Sequence, residues 1–243
     1  MKNPTLRFTV RGIVAVFFLT TFAPAQDQAN APASRDDLFV EYLFEGNAND
    51  TSGNGNDGEM QGQPGFVGGR QGECLSLKGA GDYIDTLIPS AALGDTFTVE
   101  CWVKPDAQQN PYANIFGNHA DQGYGFVMQQ DGATLNRYSV SYGAQTETVS
   151  WVTTPPVQLA ANKWQHVALV KTPETLSFYL DGKEVASVPA TPPAAPAPTT
   201  IRIGLGYTDP QRCFRGLIDE FRIWNKAVTD FTESLSPEKP AKP

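Results

Sequence analysis

From Leu38 onward the apolar residues come in short runs, broken by Gly, Asn, Asp or Pro about every ten residues, and no segment of useful length repeats at the helical period. That punctuation predicts a chain built from strands. Phe97, Val99, Cys101 and Val103 fall on one face of such a strand and Thr98, Glu100, Trp102 and Lys104 on the other, because strand side chains alternate with period two. Leu176, Phe178 and Leu180 run into Asp181-Gly182, with Val185 beyond; the two turn residues tolerate positive φ, which predicts a tight hairpin. Ile201, Ile203 and Leu205 form another face of this kind. In Leu217–Trp224 the phase slips, since Ile218 and Phe221 lie three apart, and a bulge at Asp219-Glu220 would reconcile them.

The ends of the chain read differently. Lys2, Arg7 and Arg11 precede an apolar run from Ile13 to Phe22, and Ala23-Pro24-Ala25 follows. This is the pattern of a secretory signal peptide, residues 1–25, which places the mature protein in the periplasm or outside the cell. No cysteine stands at the cleavage point to carry a lipid anchor, and no later run of about 18 apolar residues offers a membrane span. Residues 26–37 read as a flexible leader, 38–230 as one domain, and 231–243, rich in Pro and Lys, as a disordered tail. The stretch VPATPPAAPAPTT at 188–200 reads as a surface extension of a hairpin, because its prolines cannot donate to a ladder and its alanines offer little to bury.

Without the leader's three basic residues the chain keeps 15 Lys and Arg against 26 Asp and Glu, a net charge of −11. Such a balance argues against nucleic acid as a partner. The odd count of cysteines, Cys74, Cys101 and Cys213, leaves at least one thiol free. Alternation puts Cys101 on the core face and Cys74 on the opposite face of its own strand, so a bridge between them is not expected. Cys213, after Asp209-Pro210, reads as the most exposed of the three.

Four stretches in order resemble the LamG-like jelly-roll family of the concanavalin A-like superfamily: YLFEGNANDTSGNGNDG at 42–58, FTVECWVKP at 97–105, WQHVALVKTPETLSFYLDGKEV at 164–185, and IRIGLG with FRGLIDEFRIWNKAVT between 201 and 229. The resemblance implies an all-β, two-sheet antiparallel sandwich with its first and last strands side by side. It also implies a structural calcium ion held by an aspartate of the last strand and groups of the first strand and its loop. Asp219 is then the leading ligand, followed by Glu45 and Asn47, with Asp57 behind them. The loop's crowd of oxygen-bearing side chains suits the six to eight hard oxygens calcium prefers, although Asx-turns would use the same residues.

The same scaffold carries glycoside hydrolases, which need two carboxylates at fixed separation. No Glu-x-Asp-x-x-Glu run occurs, Asp219 and Glu220 are adjacent, and Glu100 would need a distant acid. Of the two histidines, His166 belongs to a strand motif and His119 to a loop. A binding or adhesion module, with a glycan or a cell-surface protein as ligand, therefore reads ahead of an enzyme. Tyr112, His119, Asp121, Tyr124, Tyr207 and Asp209 are the predicted ligand residues, with Asn114 and Arg212 beside them, because they fall at strand ends and turns. Trp102 and Trp151 are candidates for an outward sheet face.

Overall fold

The alternating runs form two antiparallel sheets packed face to face in a computed structural model that describes residues 34–119, 125–144, 150–190, 197 and 199–236. The first sheet runs in the order β14 (Lys183–Pro189), β13 (Thr175–Leu180), β12 (Gln165–Lys171), β6 (Phe97–Pro105), β16 (Arg215–Trp224), β4 (Glu73–Lys78) and β3 (Gly65–Gly68). A further strand, β1 (Leu38–Tyr42), also pairs with β16. The second sheet runs β10 (Ser150–Thr153), β9 (Arg137–Ala144), β8 (Phe126–Gln130), β7 (Asn114–Gly117), β15 (Thr200–Ile203), β5 (Tyr83–Pro89) and β2 (Glu59–Gln61), with β11 (Val157–Gln158) on β9. The expected all-β jelly-roll sandwich is the architecture observed. Val99, Cys101 and Val103 face Phe116, Phe126, Met128 and Val140 across a shared core. Burying one such large side chain contributes about 1.5–3 kcal/mol.

The hairpin at Asp181-Gly182 has both turn residues at positive φ, 49° and 75°, the mirror-image turn whose twist matches that of the strands. The slip in the last strand is a bulge. On one edge β16 pairs Asp219 with Trp102 and Arg222 with Glu100, so Glu220 and Phe221 stand opposite Cys101 alone, and Glu220 adopts φ +47°. On the other edge β16 changes partner at this point, pairing Ile218 with Leu75 of β4 and Phe221 with Tyr42 of β1. The bulge thus marks the seam where the first strand, the last strand and the β3–β4 turn converge.

Several boundaries differ from those expected. The far face of β6 is closed rather than solvated, with Thr98 and Glu100 both buried. The chain after β16 folds back across it, and Val228, Phe231 and Leu235 pack with Ala168, Val170, Tyr179 and Trp224. Residues 231–236 are therefore part of the fold, with a single turn of helix at Thr232–Leu235; 237–243 lie outside the described residues. Most of the leader also lies outside them, but Arg35–Asp37 form a 3-10 turn closed by a capping box with Ser34, and the Asp37 carbonyl accepts from the Asn225 amide. The 188–200 stretch connects β14 of one sheet to β15 of the other instead of extending a hairpin. Two of its alanines do bury surface: Ala190 and Ala197 are enclosed, their amides bonded to the Glu174 carbonyl and the Ser90 hydroxyl; 191–196 and 198 lie outside the described residues. All three cysteines are free and buried. Cys213, expected to be exposed, is enclosed because Asn110 and Asn114 tie its backbone to neighbouring segments.

Candidate functional site

In β8, β9 and β10 the apolar residues Phe126, Met128, Tyr138, Val140 and Val152 turn into the core. Alternation therefore turns Val127, Gln129, Ser139, Ser141, Trp151 and Thr153 outward, where they line a groove of about 420 Å³ on the second sheet. Loops from both sides close its ends with Tyr112, His119, Asp131, Tyr207 and Arg212. Asn114 is fully buried and holds two of these loops together: its Nδ2 donates to the Tyr112 carbonyl at 3.0 Å and its Oδ1 accepts from the Gly206 amide at 3.2 Å. It is a positioning residue.

The loop side chains form one continuous row. Trp151 meets the His119 ring edge-on at 5.5 Å, and His119 stacks on Tyr207 at 4.5 Å with the planes 13° apart. The Arg212 guanidinium then lies 4.5 Å from the Tyr207 ring and 5.1 Å from that of Tyr112. Tyr207 is spent on its neighbours, whereas Trp151 (36% exposed) and Tyr112 (49%) keep accessible ring surface. Between them the Gln129 and Ser139 side chains make no hydrogen bond to the described residues, and Ser141 Oγ and Thr153 Oγ1 share one of 2.9 Å. Two aromatic platforms and a polar floor, with Gln129 and Ser139 unmet by the described residues, suit a ligand with apolar C–H faces and many hydroxyls.

Of the predicted ligand residues, Tyr112, His119 and Tyr207 come together in this groove, as do Arg212 and Trp151. Asp209 does not line it; its carboxylate caps the turn Pro210–Arg212 by accepting from the Gln211 amide and sits 3.8 Å from Arg212 Nε. Asp121 and Tyr124 lie outside the described residues. Trp102 belongs elsewhere, donating to the Ser234 carbonyl beneath the C-terminal segment, with Arg70 stacked on its ring at 3.9 Å. The floor residues Gln129, Ser139 and Ser141 were missed. Their signal, polar residues alternating with apolar ones in β8 and β9, was available in the sequence.

Glu100, the acid considered for hydrolysis, is sealed. His166 Nε2 lies 2.7 Å from its carboxylate, and Trp224 Nε1 and Ser234 Oγ donate to it at 2.8 and 2.9 Å. Burial alone would push its carboxyl up, but the hydrogen bond and charge of His166, with Arg222 and Trp224, outweigh that and hold it below the usual carboxylate range. Arg222 in turn reaches Glu41 at 2.9 Å, Glu220 at 3.1 Å and Glu100 at 3.8 Å.

Two of the predicted metal ligands, Asp219 and Glu45, both brace the turn at the seam. The turn joining β3 to β4 presents its backbone to both: Asp219 Oδ2 accepts from the Arg70 amide at 2.9 Å and Glu45 Oε2 from the Glu73 amide at 3.0 Å. Side chains are excluded there, since a Cβ at Gly69 would sit 2.7 Å from the Asp219 carboxylate and one at Gly72 would overlap that of Glu45. Asp219 is fully buried, and burial pushes its carboxyl up to about 6, against the hydrogen bonds it accepts. Those bonds come from backbone amides; the Arg70 guanidinium goes to Glu220 instead. A buried carboxylate without a cationic partner, on a turn that a second carboxylate also braces, is donor chemistry that suits a hard cation. Asn47 and Asp57 do not join it. Asn47 bonds the Asn49 amide and the Glu45 carbonyl, and Asp57 the Asp50 amide, within their own loop. Among the described residues no group of three or more His, Cys, Asp or Glu side chains is gathered to hold a metal, so an ion here would draw further oxygens from backbone carbonyls and water.

Comparison with known proteins agrees with this architecture. No curated protein sequence matches the chain. Among solved structures it is similar to domain 4 of AbnA, a GH43 extracellular arabinanase from Geobacillus stearothermophilus solved with arabinotriose, at 23% identity and a TM-score of 0.66, covering 82% of this chain and 96% of that one. It is also similar to the binding domain of Paraclostridial Mosquitocidal Protein 1 (15%, TM-score 0.62, 83% of this chain and 51% of that one). The binding domain of botulinum neurotoxin DC, solved with SialylT, matches at 12% identity and a TM-score of 0.59, over 83% of this chain and 52% of that one. The chain spans about half the length of these toxin binding domains. The family model described as Laminin_G_3 matches residues 78–231, and this chain belongs to the concanavalin A-like lectin/glucanases superfamily.

Proposed function

We propose that this chain is an exported glycan-binding module whose ligand lies in the groove on the second sheet. The observation that carries the proposal is the pair of accessible rings, Trp151 and Tyr112, in one groove with the Gln129 and Ser139 side chains, which make no hydrogen bond to the described residues. The arabinotriose complex of the arabinanase domain, a protein of the same fold, supports it. The sequence's basic, then apolar, then small-residue leader supports export to the periplasm or beyond. No helix among the described residues is long and apolar enough to cross a membrane. Binding is favoured over cleavage because a glycosidase needs two carboxylates flanking the bond, and the described lining of the groove has one, Asp131. A structural calcium ion at Asp219 and Glu45 is part of the same proposal.

Affinity electrophoresis and calorimetry against a panel of soluble polysaccharides test it. Binding is expected in the micromolar to millimolar range, about −8 to −4 kcal/mol, with no release of reducing ends from any polymer that binds. Trp151→Ala is expected to weaken binding by about 1–2 kcal/mol, roughly 5- to 30-fold, with an unchanged melting curve. Binding that is indifferent to Trp151→Ala and Tyr112→Ala would place the ligand elsewhere.

A further inference from the structure

Arg212 is the only lysine or arginine among the described residues lining the groove, in a chain whose net charge is −8. Its position is built. The guanidinium is bracketed by Tyr207 and Tyr112, and the Asp209 carboxylate lies 3.8 Å from its Nε. Those two nitrogens make no hydrogen bond to the described residues, and the side chain is 29% exposed. Asp131, the acid of the groove lining, is half exposed and lies 3.9 Å from Arg137, so its charge is turned toward another cation. What remains is a planar pair of nitrogen donors, pre-oriented by aromatic rings, at the edge of a site otherwise composed of rings and neutral polar groups. A fork of that shape pairs with a carboxylate through two parallel hydrogen bonds.

We infer that the groove selects sugars that carry a carboxylate, with Arg212 as the residue that reads it. This rests on the glycan-binding reading and specifies it. Internal uronic acids of a polymer and terminal sialic acids present the same group, and the test separates them. The signal-free chain is titrated with polygalacturonate, with alginate, with the carboxyl-reduced form of each polymer, and with sialyllactose beside lactose, at one fixed salt concentration.

The acidic form of at least one pair is expected to bind about tenfold or more tightly than its neutral counterpart, and the pair that responds identifies the source. Arg212→Gln should bring the acidic and neutral forms to equal affinity, whatever that common affinity is, without lowering the melting temperature. Arg212→Lys should restore only part of the preference, because an ammonium cannot make the paired contact. Equal binding of acidic and neutral forms by the wild-type protein, or a preference that survives Arg212→Gln, overturns the inference. If neutral glycans still bind in a Trp151-dependent way, the module reading stands without it. If no glycan binds at all, both fall.

Discussion

Replacing Arg222 with methionine is expected to lower stability by about 3–5 kcal/mol, or about 6–20 °C in Tm for a domain of this size. The guanidinium is 5% exposed and lies among the carboxylates of Glu41, Glu220 and Glu100. Methionine fills much of the space but leaves those acids facing one another with their shared cation gone. Glu100 keeps its His166 and Trp224 contacts, so the fold should persist in weakened form. The same cluster fixes the acid limb of stability. The folded Glu100 carboxyl is held below its ordinary value of 4.5, so the unfolded chain takes up a proton first as the pH falls. The stability it contributes is complete above about 4.5 and drains away as the pH drops through the folded value. Urea titrations between pH 7 and pH 3 should therefore show a shallower loss for Glu100→Gln, from a lower starting point, than for the wild type. Parallel curves would show that Glu100 does not set the acid limb.

Removal of calcium by a chelator is expected to lower the Tm by several degrees. An ion present at about 100 times its Kd stabilises by about 2.7 kcal/mol, roughly 5–11 °C here. Asp219→Ala should abolish the response to calcium while the protein stays folded, because the turn whose Arg70 amide bonds Asp219 is also braced by Glu45. Asn47→Ala and Asp57→Ala should leave the response intact, since both side chains are committed within their own loop. Differential scanning calorimetry of metal-stripped protein, with and without added calcium, reads all four. A Tm indifferent to calcium in the wild type would remove the ion from the account.

The strands were legible because their alternation is local: Phe97 to Val103 and Leu176 to Leu180 declare their faces without reference to anything distant. So was the bulge, from two apolar residues three apart. The outer face of β6 was not, since period two records that Glu100 and Trp102 share a side but not that residues 226–236 return to cover it. Cys213, Ala190 and Ala197 were misjudged for a related reason: small residues carry little apolar signal, and their burial is decided by the segments that pack on them. Within the groove, Tyr112 and Tyr207 stood out because they fall at strand ends and turns, and Trp151 as a candidate for an outward sheet face. For its floor the alternation in β8 and β9 showed only that the residues face outward, because serines and glutamines there look alike whether they meet solvent or a ligand. The separation of Asn47 and Asp57 from Asp219 was likewise hidden, as crowding in sequence does not show which side chains turn inward to hold their own loop.

The last strand also governs when the fold can exist. Arg222 pairs with Glu41 across 181 residues of chain, and β16 is the strand that joins β1, β4 and β6 into one sheet and is the partner strand of β1. At synthesis rates of about 5–20 residues per second, β1 waits on the order of 10–35 s for the neighbour that pairs it. Until then the nascent chain has no continuous first sheet, and contacts this distant close slowly. Ribosome-held chains ending before Arg215 should accordingly be open to protease throughout, whereas release past Trp224 should bring protection in a single step.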